Sequence, residues 1–126
     1  MPTVAIIGAS ADRRKFGNIS VRAHQQAGYE VFPVHPKADE IEGLKTFPSL
    51  AALPVEQLDR VSLYVPPSVG MTLLDEIAAK SPREVWFNPG TADPTLLEAA
   101  EKCGLNIIHA CSIVNLGVSP SDFSSE

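Results

Sequence analysis

The sequence predicts an α/β fold: a mostly parallel five-stranded sheet layered between helices. Three observations point there. Five short apolar runs alternate with segments of helical period. Residues 3–7 are β-branched or apolar on nearly every position, the pattern of a strand covered on both faces. Turn-forming residues separate the segments: Gly8, Gly28, Pro66-Pro67, Asn88-Pro89-Gly90 and Gly104. With 126 residues, 44% of them hydrophobic, the chain suits a single domain with a real core.

Residues 3–7 read as the first strand, ended by Gly8. Residues 16–27 read as a helix with Ile19, Ala23 and Ala27 on one stripe and Gly28 as its stop. A second strand, 29–34, closes at Pro33 and Pro36. Residues 39–53 form a connection with a short helical turn after Pro48. The third strand, 60–65, is broken by Pro66-Pro67. Ser68 then caps a helix to about Lys80, with Met71, Leu74, Ile77 and Ala78 inward. Residues 84–87 are a fourth strand. Asp93-Pro94 is an N-cap and first-turn pair for a helix ending near Cys103, with Gly104 behind it. Residues 105–109 are the fifth strand. The domain spans 1–118, and the small polar residues 119–126 read as a flexible tail.

Composition removes several function classes. No apolar stretch reaches the roughly 20 residues of a membrane helix. The first residues lack the basic start of a signal peptide. Two cysteines, Cys103 and Cys111, do not make a disulfide scaffold, so a reducing cytoplasm is expected. Fifteen acidic against ten basic residues, net charge −5, argue against a nucleic-acid surface. A local basic cluster, Arg13-Arg14-Lys15, still allows an anionic small ligand.

In parallel sheets ligands sit outside the carboxyl ends of the strands. After the first strand stands Gly8-Ala9-Ser10. A dinucleotide fingerprint wants G-x-G-x-x-G; only its first glycine is in place, and Ser10 occupies the second position. A small residue there lets backbone N–H groups approach a phosphate, and the hydroxyl adds a donor. Gly17 comes late, after the basic insertion. The second strand ends Val34-His35-Pro36-Lys37, with no carboxylate for a bare ribose. Histidine and lysine suit a ribose carrying a phosphate, which fits the 2′-phosphate of NADP or the 3′-phosphate of coenzyme A. Val65-Pro66-Pro67 offers a rigid apolar wall.

Sharper chemistry finds little support. Cys111 follows the fifth strand, where a mixed disulfide with a ligand thiol is conceivable, but a half-buried packing role is the expectation. Cys103 reads as packing and His24 as a surface residue. His109 and Cys111 are two potential metal ligands without a third, so no metal is expected. Asp75 and Glu76 are adjacent on a helix and point apart. Ser10 lies in no nucleophile elbow. No catalytic residue is assigned.

The motifs IIGAS, KFGN, GYEVFPVHP, IEGLKTFPSLAALP, VPPSVG, WFNPG and HACSIV stand in this order between Val4 and about Leu116. Over that span the chain resembles the small free-standing coenzyme A-binding domain proteins. Their Rossmann-like domain is also the N-terminal domain of the succinyl-CoA synthetase α subunit and of NDP-forming acyl-CoA synthetases. The resemblance implies phosphate contacts from Gly8, Ala9 and Ser10, with Lys15, Phe16 and Asn18 flanking the diphosphate. His35 and Lys37 would lie near the 3′-phosphate or adenine, Val65, Pro66 and Pro67 along the nucleotide, and Asn88, Pro89 and Gly90 beside the pantetheine arm. Two departures stand out: relatives commonly carry Asn at the position of His35, and many carry Arg at the position of Ala110. The synthetases perform phosphotransfer with a histidine on a second domain, so the resemblance implies non-catalytic binding of coenzyme A or an acyl-CoA. The alternatives are an NADP-dependent oxidoreductase cofactor domain and a CoA-responsive interaction module. A homodimer or an unknown protein partner fits either binding reading.

Overall fold

The computed structural model describes residues 1–123. Five parallel strands make the main sheet: β1 (Thr3–Ile7), β2 (Glu30–Val34), β5 (Arg60–Leu63), β6 (Glu84–Phe87) and β7 (Ile107–Ile108), in the order β2-β1-β5-β6-β7. Helices α1 (Phe16–Gln26), α2 (Pro67–Ala79), α3 (Pro94–Lys102) and α4 (Ser112–Asn115) cover its faces. This is the Rossmann-like α/β architecture that the alternation implies. No helix among the described residues is long and apolar enough to cross a membrane.

The two faces are unlike. Because strand side chains alternate, Ala5, Ile7, Val61, Leu63, Val85 and Phe87 share one face. There they pack with Leu74 and Ile77 of α2 and Leu96 and Ala100 of α3. Val4 and Ile6 take the other face, against Val21 of α1 and Val31 of β2. The same opposite face of β5 and β6 is polar. Arg60 pairs in register with Glu84, and Ser62 with Trp86. Arg60 donates to Glu84 Oε1 at 3.0 Å and to Asn115 Oδ1 at 2.7 Å, and its guanidinium stacks over Trp86 at 4.7 Å. Polar and apolar residues alternate along Arg60-Val61-Ser62-Leu63, and the polar members are buried rather than solvated.

Several expectations change. The connection after β2 contains a hairpin, β3 (Glu40–Ile41) and β4 (Leu44–Lys45), besides the short 3-10 turn at Leu50–Ala52. Phe47 links this segment to the sheet edge: its amide donates to the Pro33 carbonyl at 3.0 Å, and its carbonyl accepts from His35 N–H at 2.9 Å. Pro33 is tolerated because β2 is an edge strand. Ser68 does not cap α2; Pro66 holds the N-cap and Pro67 the first helical position. Met71 is exposed, and Gly70 takes its expected inward place against Leu63 and Leu96. Cys103 is exposed at the end of α3 rather than packed.

His24 is not a surface residue: it is fully buried. Its Nδ1 lies 2.8 Å from the Ser20 carbonyl and its Nε2 lies 3.3 Å from Arg60 Nη1. Of its polar neighbours on the helix, Ser20 and Arg22 are buried with it, whereas Gln25 and Gln26 are exposed. The C-terminal segment is not frayed through residue 123. Pro120–Phe123 forms a 3-10 turn, and Phe123 packs on Ile19, Ala23 and Ile113. Arg22 stacks on the Phe123 ring and donates to its carbonyl at 3.2 Å. The remainder of the expected tail, 124–126, lies outside the described residues.

Candidate functional site

From β1 the strand order runs outward in both directions, to β2 on one side and to β5 on the other. The loops after β1 and β5 diverge at that point and leave a crevice. A cleft of about 580 Å³ opens there, walled by Gly8, Ala9 and Ser10, Lys15 to Gly17, His35 and Pro36, Tyr64 to Pro66, and Pro89 to Thr91.

The floor rests on two glycines. Gly8 ends β1 at φ +86°, and a Cβ there would stand 2.7 Å from the Tyr64 carbonyl oxygen. Only glycine suits both constraints. A Cβ on Gly17 would strike the Gly8 carbonyl. The first turn of α1 therefore lies directly on the β1 turn. Gly17 thus does the close-packing work that the third glycine of the fingerprint does elsewhere, delayed by the basic insertion.

This packing aims the start of α1 into the cleft. The amides of Asn18 and Ile19 both bond the Lys15 carbonyl. Those of Phe16 and Gly17 find no partner among the described residues, as expected for the first amides of a helix. Lys15 is the N-cap but makes no side-chain capping bond. Ser10 Oγ accepts from the Asp12 amide at 3.0 Å, which leaves its hydroxyl hydrogen free to donate. Open amides, a hydroxyl and an ammonium around a helix N-terminus form an anion site in which dipole and charge act together.

The other basic residues of the loop are occupied. Arg14 makes two bonds to Asp12, at 3.1 Å each, and holds the Asp12 carboxyl down at about 2. Arg13 pairs with Glu42 of the hairpin turn at 3.3 Å. Lys15 has no ion-pair partner among the described residues.

The structure gathers most of the expected residues: Gly8, Ala9, Ser10, Lys15, Phe16, His35, Val65, Pro66, Pro89 and Gly90 all line the cleft. His35 Nδ1 accepts from the amides of Lys37 and Ala38, both at 3.0 Å. That fixes the proton of the neutral ring on Nε2, a donor. Four expected residues stand elsewhere. Lys37 is exposed on the turn beside the cleft and Pro67 opens α2; neither forms its wall. Asn18 is fully buried: its Nδ2 donates to the Ser10 carbonyl at 2.9 Å and its Oδ1 accepts from Arg22 at 2.7 Å. It shapes the phosphate loop from behind. Asn88 donates to Ser62 Oγ at 2.8 Å and accepts from the Ser112 amide at 2.8 Å, tying β6 to β5 and α4.

Pro36, Tyr64 and Thr91 line the cleft without having been singled out from the sequence. Tyr64 falls within the strand expected over 60–65, but β5 ends at Leu63 and Tyr64 opens the loop. The Thr91 hydroxyl donates to the Asn88 carbonyl at 2.7 Å, a turn contact with no sequence signature of its own. The expected fifth strand stops at Ile108, so His109 and Cys111 share no strand face.

Two recesses adjoin the cleft. One, about 240 Å³, extends past Gly8, Pro36 and Val65 to Leu50, Val69 and Leu73. The other, about 140 Å³, lies past Phe16, Tyr64 and Pro89, on the opposite side.

The chain is similar to known proteins over most of its length. Residues 2–117 match a family described as a CoA binding domain. The ADP-forming acetate–CoA ligase I of Archaeoglobus fulgidus is 27% identical over 83% of this chain, which spans 17% of that protein. The α subunit of ADP-forming acetate–CoA ligase II of Pyrococcus furiosus is 28% identical over 83% of the chain, which spans 25% of it. The chain thus spans a quarter or less of these curated relatives. A conserved hypothetical protein of Pyrococcus furiosus superposes with a TM-score of 0.81 at 34% identity. That match covers 91% of this chain and 99% of the other.

Proposed function

The chain belongs to the CoA-binding domain family, and on that footing we propose that it binds coenzyme A or an acyl-CoA reversibly, without catalysing a reaction on it. The observation that carries this reading is the anion site at the switch point. The amides of Phe16 and Gly17, the Ser10 hydroxyl and the Lys15 ammonium, which has no ion pair among the described residues, converge where a diphosphate would lie. The nucleotide half would leave toward the β2 end. There the larger apolar recess suits an adenine face, and His35 Nε2 and Lys37 suit the 3′-phosphate. The pantetheine arm would leave the other way, between Phe16 and the Pro89-Gly90 turn.

NADP is the rival ligand, because a phosphorylated ribose would use the same histidine and lysine. Isothermal titration of ligand-stripped protein with CoA, NADP and NAD separates them. Saturable CoA binding with both dinucleotides silent is the expected result; NADP binding without CoA binding overturns the reading. Lys15→Ala should weaken CoA about tenfold, the loss of one charge-assisted contact. Lys37→Ala should shrink the preference for CoA over 3′-dephospho-CoA; unchanged discrimination removes Lys37 from the 3′-phosphate.

A further inference from the structure

We propose that the 140 Å³ recess beside the cleft is an acyl pocket that selects short-chain acyl thioesters of coenzyme A. This rests on the CoA-binding reading and adds which thioester the site takes. The recess is walled by Phe16, Tyr64, Asn88, Pro89, Cys111 and Pro120. It shares Phe16, Tyr64 and Pro89 with the cleft, so a group leaving the cleft on that side enters it directly. The diphosphate site and the adenine-sized recess lie toward the other side, which leaves the thiol end of the ligand facing this one.

The chemistry of the wall decides the occupant. Asn88 spends its amide hydrogens on Ser62 Oγ and the Leu63 carbonyl, and its Oδ1 accepts twice from Ser112. The Tyr64 hydroxyl bonds Ser112 Oγ at 3.0 Å, and burial pushes its pKa above the usual tyrosine value. Ser62 and Ser112 bond each other at 2.7 Å. These bonds form one closed set, in which Tyr64 and Ser62 donate to Ser112, Ser112 to Asn88, and Asn88 to Ser62. Among the described residues no buried side-chain polar atom lacks a partner. The wall therefore offers an occupant ring and aliphatic carbon and the weakly polar Cys111 thiol. A buried water needs two to four polar partners, which these side chains do not have to spare, whereas an apolar cavity of about 150 Å³ accommodates a benzene. A chain of about four carbons fits; a long fatty chain does not. The thioester carbonyl stays at the mouth, outside the apolar wall.

Each methylene buried in such a pocket tightens binding about fourfold. Titration calorimetry with CoA, acetyl-CoA, butyryl-CoA and octanoyl-CoA reads this directly. Butyryl-CoA, with two more methylenes, should bind about fifteenfold tighter than acetyl-CoA, and octanoyl-CoA no tighter than butyryl-CoA. Cys111→Leu, its fold checked by thermal melting, should keep CoA affinity and lose the butyryl gain. Equal affinities across the series, a steady rise through octanoyl, or an undiminished butyryl gain in Cys111→Leu overturns the acyl pocket while CoA binding stands. Failure of every titrant to bind overturns the CoA reading and this one together. The wild-type series decides the matter whatever the stability of the variant.

Discussion

At the scale of single residues, the clearest test of the β1–α1 packing is Gly17→Ala. Helix propensity alone favours alanine by about 1 kcal/mol. The added Cβ would strike the Gly8 carbonyl, a backbone atom that cannot turn aside. We expect a net loss of about 2 kcal/mol in urea unfolding, as for overpacking in a rigid site, together with weakened CoA binding. A gain in stability would mean that helix and turn separate easily. His24 makes a second prediction. Burial, reinforced by Arg60 and opposed by the Ser20 carbonyl, holds its pKa down at about 4, against 6.5 for a free imidazole. The folded state thus binds fewer protons than the unfolded chain between those values, so stability rises with pH through that window. About 3 kcal/mol is present above pH 6.5 and lost as the pH falls toward 4. Replacing His24 by Gln should flatten that part of the profile; an unaltered slope would assign it to other groups.

At the scale of elements, the C-terminal 3-10 turn is a working part of the α1 layer. Phe123→Ala removes a nearly buried ring from Ile19, Ala23 and Ile113 and uncovers Arg22. It should cost about 3 kcal/mol in the urea midpoint; no change would restore the frayed tail that composition suggests. That error and the successes have a common cause. Strands such as Val4–Ile7 and Val85–Phe87 were legible because burial on both faces demands unbroken apolar runs. Their ends were legible because glycine and proline mark them. The hairpin of β3 and β4 has two residues per strand, too few for any period to register. The burial of Arg60 and Ser62 beneath α4, which bonds them through Asn115 and Ser112, and of His24 against Arg60 and Tyr29, is a tertiary fact that local polarity reads backwards. In the site, backbone-presenting residues such as Gly8 and Ala9 were legible from spacing. Asn18 and Asn88 lie outside the cleft wall, their side chains spent on internal bonds that only the fold reveals.

At the scale of the whole molecule, an acidic chain concentrates an anion site at one end of its sheet. It does so by pairing Arg13 and Arg14 with Glu42 and Asp12 while Lys15 keeps no ion pair among the described residues. The sheet order supplies the crevice, and the two glycines bring helix and strand close enough for backbone amides to face it. If coenzyme A occupies that crevice, saturating ligand at a hundred times its dissociation constant should stabilise the fold by about 2.7 kcal/mol. The most direct test of the central claim is amide mapping by nuclear magnetic resonance during a CoA titration. The account predicts the largest shifts at Ser10, Phe16 and Gly17, with His24 unmoved. Shifts concentrated around Thr3, Asp59 and Ser81 at the opposite end of the sheet, or none at all, would contradict it.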